Sequence, residues 1–182
     1  MTETRKRRHD PDRRDRIINA ALEVIARHGI AGTTHRRVAQ AADVPLGSTT
    51  YHFAGIDDLL VEAFRRFSQE VAARYHQRLE AATNIAEARE AVVDLICGGL
   101  WATPRNMLLS FELYAYAARN PLLKEVLRDW MAESRAALQR HFPPATARTL
   151  DAFLEGVTIH NTASENLISR AEVREIVEKL TA

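Results

Sequence analysis

The sequence predicts an all-α protein, with a three-helix head at the N-terminus and a larger helical body behind it. Three observations carry that expectation. Apolar residues recur at spacings of three and four along most of the chain, and no segment alternates apolar and polar residues as a half-buried strand would. The stretch Thr33 to Phe53, TTHRRVAQAADVPLGSTTYHF, reads as two short helices joined by a tight turn.

The elements follow in order. Residues Thr2 to Asp12 are polar and basic, with Arg5, Lys6, Arg7 and Arg8 in one run, the composition of a solvated tail. From Arg13 a helix begins, its apolar face made by Ile17, Ile18, Ala21, Leu22 and Ile25, and Gly29 stands where a C-terminal cap is expected. Thr33 or Thr34 can cap the next helix by accepting from an otherwise unpaired backbone N–H, with Val38 and Ala42 on its inner face. Asp43 and Val44 form the turn. Asp tolerates the positive φ that such turns often need. Pro45, with φ preset near the helical value, suits the first turn of a second helix. That helix carries Leu46, Ser48, Thr49, Thr50, Tyr51 and His52, side chains able to approach a phosphate or a base edge in a major groove, and Phe53 anchors its end.

After Gly55 a long helix bears Leu59, Leu60, Ala63, Phe64, Phe67, Val71 and Tyr75. The pattern then gives a helix from Ile85 to Leu100 with Val92, Leu95 and Ile96 inward. Thr103 and Pro104 open another through Met107, Leu108, Phe111 and Tyr114, ending near Asn120. Pro121 opens the next, which Pro143 and Pro144 stop. A helix from about Thr146 to Asn166 follows, and Ser169-Arg170-Ala171-Glu172 spells a capping box before the last.

Charge is divided along the chain. Through Ile56 there are ten Lys/Arg against six Asp/Glu, and beyond it fifteen against eighteen, so positive charge gathers where a polyanion would dock. The single cysteine, Cys97, excludes an intramolecular disulfide and any multi-cysteine zinc site, and is expected as a small buried apolar residue. No apolar run approaches the ~18 residues of a membrane span, and the charged N-terminus lacks a signal-peptide core, so a cytoplasmic location is expected. No HExxH, no helical histidine pair and no Gly-rich phosphate loop is present. Neither catalytic residues, nor a metal, nor a cofactor are expected. An all-helical enzyme, or a partner-binding helical module without DNA reading, is the alternative.

Taken with RIINAALEVIARHG upstream and IDDLLVEAFRRF downstream, Thr33 to Phe53 resembles the DNA-binding domain of the TetR family of bacterial transcriptional regulators. Four positions depart from the family pattern. Asp43 stands for the usual Gly, Pro45 for a capping Ser, Thr50 for an aromatic residue and Ile56 for Lys. The resemblance implies a head over residues 1–56 that contacts DNA through Thr34, Arg36, Leu46, Gly47, Ser48, Thr50, Tyr51 and His52. The basic N-terminal run would then be an arm able to enter a neighbouring minor groove. Over residues 57–182 the resemblance implies an effector-binding and dimerisation body. Trp101, Met107, Phe111, Glu112, Tyr114 and Trp130 are the candidate lining of a pocket for an unidentified small molecule. Leu150, Leu154, Val157, Ile176, Val177 and Leu180 are the candidate face for a second copy. The expected function is that of a dimeric repressor of a palindromic operator, released by its effector.

Overall fold

The computed structural model describes residues 11–99 and 102–182. Among these residues it forms nine α-helices and no strand: α1 (Arg13–His28), α2 (His35–Ala41), α3 (Leu46–His52), α4 (Ile56–Glu80), α5 (Ile85–Cys97), α6 (Pro104–Ala117), α7 (Pro121–Leu138), α8 (Pro144–Asn161) and α9 (Arg170–Leu180). Two compact units divide inside α4, one ending at Ala63 and the other running from Phe64 to Ala182.

In the first unit α1 packs on α2 and α3, and α2 packs on α3. Ile17, Ile18, Leu22 and Ile25 of α1 are fully buried with Val38 of α2 and with Leu59 and Leu60 of α4. Burying a side chain of this size stabilises by about 1.5–3 kcal/mol. Gly29 ends α1 at φ 67°, its N–H donating to Ile25 O at 2.8 Å. Gly32 is required by crowding, since a Cβ there would strike the His28 carbonyl and come within 2.8 Å of the His28 side chain.

In the second unit α6 packs on α7, α7 on α8, α8 on α5, and α9 on both α5 and α8. Phe64, Phe67 and Leu79 of α4 join Leu95 of α5 and Leu109 and Leu113 of α6 among the fully buried side chains. The capping box is present: the Glu172 N–H donates to Ser169 Oγ and the Ser169 N–H to Glu172 Oε2. Arg170 bridges Glu90 and Asp94, Arg174 Nε donates to Glu90 Oε2 at 3.1 Å, and Arg89 holds Thr181, so α9 is fastened to α5 by charge as well as by buried Val173 and Val177.

Several expectations need correction. α8 starts at Pro144, with Pro143 as its cap, because a proline that cannot continue α7 is well suited to the first turn of the next helix. It ends at Asn161, short of Asn166. α5 ends at Cys97, and Cys97 is exposed at the last turn of the helix, beside Gly98 and Gly99. Leu150, Leu154 and Val177 are sealed in the body's own core, leaving Val157, Ile176 and Leu180 half-buried at the surface. Trp101 and the basic run lie outside the described residues. No helix among the described residues is long and apolar enough to cross a membrane.

Candidate nucleic-acid interface

The turn between α2 and α3 is set by local chemistry. Thr34 caps α2, its hydroxyl accepting from the Arg37 N–H at 3.3 Å, while Thr33 Oγ1 donates back to Gly29 O at 2.8 Å. Asp43 sits at φ 51°, the left-handed conformation for which Gly is the unstrained residue. Pro45 is the cap of α3, one residue earlier than its expected place inside the helix.

α3 then shows two faces. Ser48 and Thr49 are buried beneath it, Thr49 Oγ1 donating to Leu46 O at 2.8 Å, and Phe53 closes the end at 2% exposure. Leu46 is 46% exposed and Tyr51 84% exposed, with Gly47 and Thr50 on the same open side. Thr34 and Arg36 of the α2 end are also exposed, and His52 is half-buried with its ring edge-on to Tyr51. Six expected contact residues are thus open, His52 is partly so, and Ser48 is not. Ser48 falls on the packing side because its position is set by the same turn of helix that buries Thr49.

Three positioning residues were missed by sequence reasoning. Arg14 of α1 lies over the Phe53 ring, 5.4 Å from its centroid, and pairs with Glu62 of α4, so one guanidinium ties the end of α3 to its neighbours. Arg37 Nη1 donates to Gly32 O at 2.6 Å and holds the loop that presents Thr34. Asp58 accepts from the Ala54 N–H at 3.0 Å and fixes the exit from α3. Arg14 stands in a run of arginines and carries no signal of its own, since Phe53 and Glu62 are distant in sequence.

The expected pocket lining is dispersed. Met107 is in the core, Phe111 is 37% exposed and Glu112 is half-buried. Tyr114 and Trp130 instead converge on residues that were not anticipated. The Tyr114 hydroxyl donates to Glu155, and Trp130 lines a small internal cavity with Tyr75, Ser134, Asp151 and Glu155. Arg135 Nε donates to Asp151 Oδ2 at 2.9 Å. Burial pushes the Asp151 carboxyl up against the pull of Arg135, and burial alone raises that of Glu155. Burial, then the charges of Asp151 and Glu155, drives the Tyr75 phenol well above its ordinary value. The available signal was spacing: Leu150, Asp151, Leu154, Glu155 and Thr158 share one face of α8, so two acids stand on an inner stripe.

Residues 17–63 match the family model for bacterial regulatory proteins of the tetR family, and residues 83–182 match that for the tetracyclin repressor-like C-terminal domain. A Streptomyces coelicolor A3(2) protein, solved as a proposed transcriptional regulator, is 45% identical, covers 94% of this chain with 99% of its own, and superposes with a TM-score of 0.87. The multidrug binding protein EbrR, solved with ethidium, is 36% identical over 93% of this chain and 99% of its own, with a TM-score of 0.78. It has also been solved with imidazole, proflavin and malachite green. The nicotine-responsive transcriptional repressor HdnoR of Paenarthrobacter nicotinovorans is 27% identical over 126 residues, 67% of this chain. The match spans 65% of that repressor, just under two thirds of its length.

Proposed function

The chain belongs to the tetR family of bacterial regulatory proteins, and we propose that it is a dimeric, sequence-specific DNA-binding repressor whose grip on its operator is released by a small organic effector. One observation carries the DNA reading. α3 presents Leu46, Gly47, Thr50 and an 84% exposed Tyr51 on a seven-residue helix without acidic side chains, beside Arg36. In this reading Tyr51 holds the phosphate backbone, Leu46 meets a thymine methyl and Arg36 takes a phosphate or a base edge. Ser48 would act through the backbone fit of α3 rather than by direct contact.

A single head covers few base pairs, so two are needed about one helical turn apart, roughly 34–36 Å. Val157, Ile176 and Leu180, with exposed Ile159 and Leu167 nearby in sequence, support the α8 and α9 end of the body as the face for the second copy. The compounds solved with EbrR support an aromatic organic effector. Such a molecule would act by binding better to a conformation that no longer fits the operator. The place of action would be the cytoplasm.

The test is the salt dependence of binding to duplex DNA. The logarithm of affinity should fall linearly with the logarithm of salt, and Arg36→Ala should lower the slope by about one if Arg36 holds a phosphate. A folded protein that binds no duplex at low salt would overturn the proposal.

A further inference from the structure

We infer that the outer face of α6 is a docking surface for a second copy of this chain, laid antiparallel across it about a two-fold axis at Ala115. The contact is additional to the one proposed at α8 and α9, since α6 packs on α7 while α8 and α9 pack on α5.

α6 has two distinct faces. Asn106, Met107, Leu109, Ser110, Leu113 and Ala117 are buried, whereas Leu108, Phe111, Ala115 and Ala118 are open to solvent. Those four stand at spacings of three, four and three, which places them on a single seam along the helix. Leu108 is 50% exposed and Phe111 37%, and Leu122, just past the turn into α7, is 54% exposed and lengthens the patch. Apolar residues exposed singly are ordinary, but a continuous seam of them marks a surface that something covers. Residues 1–10 carry no apolar side chain beyond Met1 to supply that cover.

The seam matches itself when inverted. With the axis at Ala115, Phe111 falls opposite the partner's Ala118, large against small, and Leu108 falls toward the partner's Leu122. Ala115 meets its own copy, and two small residues there let the helices approach closely. Half-buried Glu112 and exposed Arg119 lie on one flank of the seam, seven residues apart. Inversion sets Glu112 beside the partner's Arg119, and Arg119 beside the partner's Glu112, so the face is complementary to itself in charge as well as in volume. A helix of this length is about 21 Å long, and one such face buries less than the roughly 1,200 Å² of a stable complex. The contact is therefore weak in free solution and leaves a two-chain mass at micromolar concentration. Dimers set side by side on one duplex would meet at high local concentration, where a weak contact counts.

The test is cross-linking of the full-length protein. Cys97→Ser removes the native thiol, and Ala115→Cys places a new one at the axis. At high protein concentration under mild oxidation, this protein should form covalent pairs about tenfold faster than the same background carrying Ala73→Cys, an exposed position on α4. Phe111→Glu should abolish the difference. Arg119→Glu should reduce it, and Glu112→Arg added to Arg119→Glu should restore it, which general damage to the fold would not do. Val157→Asp should leave it unchanged, because that residue serves the other face. Circular dichroism should stay that of the wild type throughout. Pairing no faster through Ala115→Cys than through Ala73→Cys, or a charge swap that restores nothing, would overturn the assignment. Loss of pairing in Val157→Asp would also overturn it, by merging the seam with the α8–α9 contact.

Discussion

At the scale of single residues, the molecule separates side chains that hold the head together from those that face outward. Tyr51 at 84% exposure belongs to the second group, so Tyr51→Ala should leave the melting temperature unchanged and cost about 1–3 kcal/mol of operator affinity, read by fluorescence anisotropy. Asp43, at φ 51°, belongs to the first. Asp43→Val should destabilise by about 1–2 kcal/mol in urea unfolding, and Asp43→Gly should not, because the β-branched side chain meets the carbonyl clash of the left-handed region and Gly does not. Glu155 illustrates the opposite economy. Burial raises its folded pKa above the ordinary 4.5, so its ionisation opposes folding as pH climbs from that value through the raised one. Glu155→Gln should therefore unfold at a higher temperature than wild type at pH 7, with the difference vanishing below pH 4.5. An unchanged midpoint at both pH values would show that the carboxylate is not held away from water.

At the scale of elements, what was legible in the sequence is what neighbours within four residues decide. The Thr34 cap, the Asp43 turn, the Phe53 anchor and the Ser169–Glu172 box are each i to i+3 or i+4 chemistry, and each forms as read. The inner faces of α1, α4 and α5 are buried as read, and what was not legible is where polar side chains take the inward face. On α6 the large Leu108 and Phe111 remain exposed while Asn106 and Ser110 are buried, Ser110 Oγ donating to Asn106 O at 2.9 Å and so meeting its own polar need. The same blindness hid Asp151 and Glu155, whose inward placement depends on α4 and α7, and led Cys97 to be expected inside. The α5–α9 clamp gives a prediction at this scale. Hydrogen bonds from Arg174 and then Arg170 lower Glu90, and in Asp94 those from Arg170 and Arg78 outweigh a burial effect that acts upward. These carboxylates stabilise the fold above their ordinary values of 4.5 and 3.8, and that support is lost as pH falls through the lowered ones. Amide exchange in α9 should thus accelerate on acidification below pH 4.5, measured against α1, and Arg170→Ala should reproduce the effect at neutral pH.

At the scale of the whole molecule, the account requires two copies. Three of the six residues expected at the subunit face are consumed by the body's own core, so the proposed association would rest on Val157, Ile176 and Leu180 and on the exposed apolar groups near them. Val157→Asp should shift the sedimentation mass from two chains to one at micromolar concentration and weaken operator binding together with it. A variant that stays dimeric would place the interface elsewhere. The central claim is that α3 reads a base sequence, twice, from one dimer. Its most direct test is selection of bound DNA from a random duplex pool by the full-length protein at near-physiological salt. The account predicts an enriched palindrome with half-sites about one helical turn apart, the same palindrome being recovered in lower yield by Tyr51→Ala. Folded protein that enriches no sequence, with or without an added small-molecule effector, would contradict it.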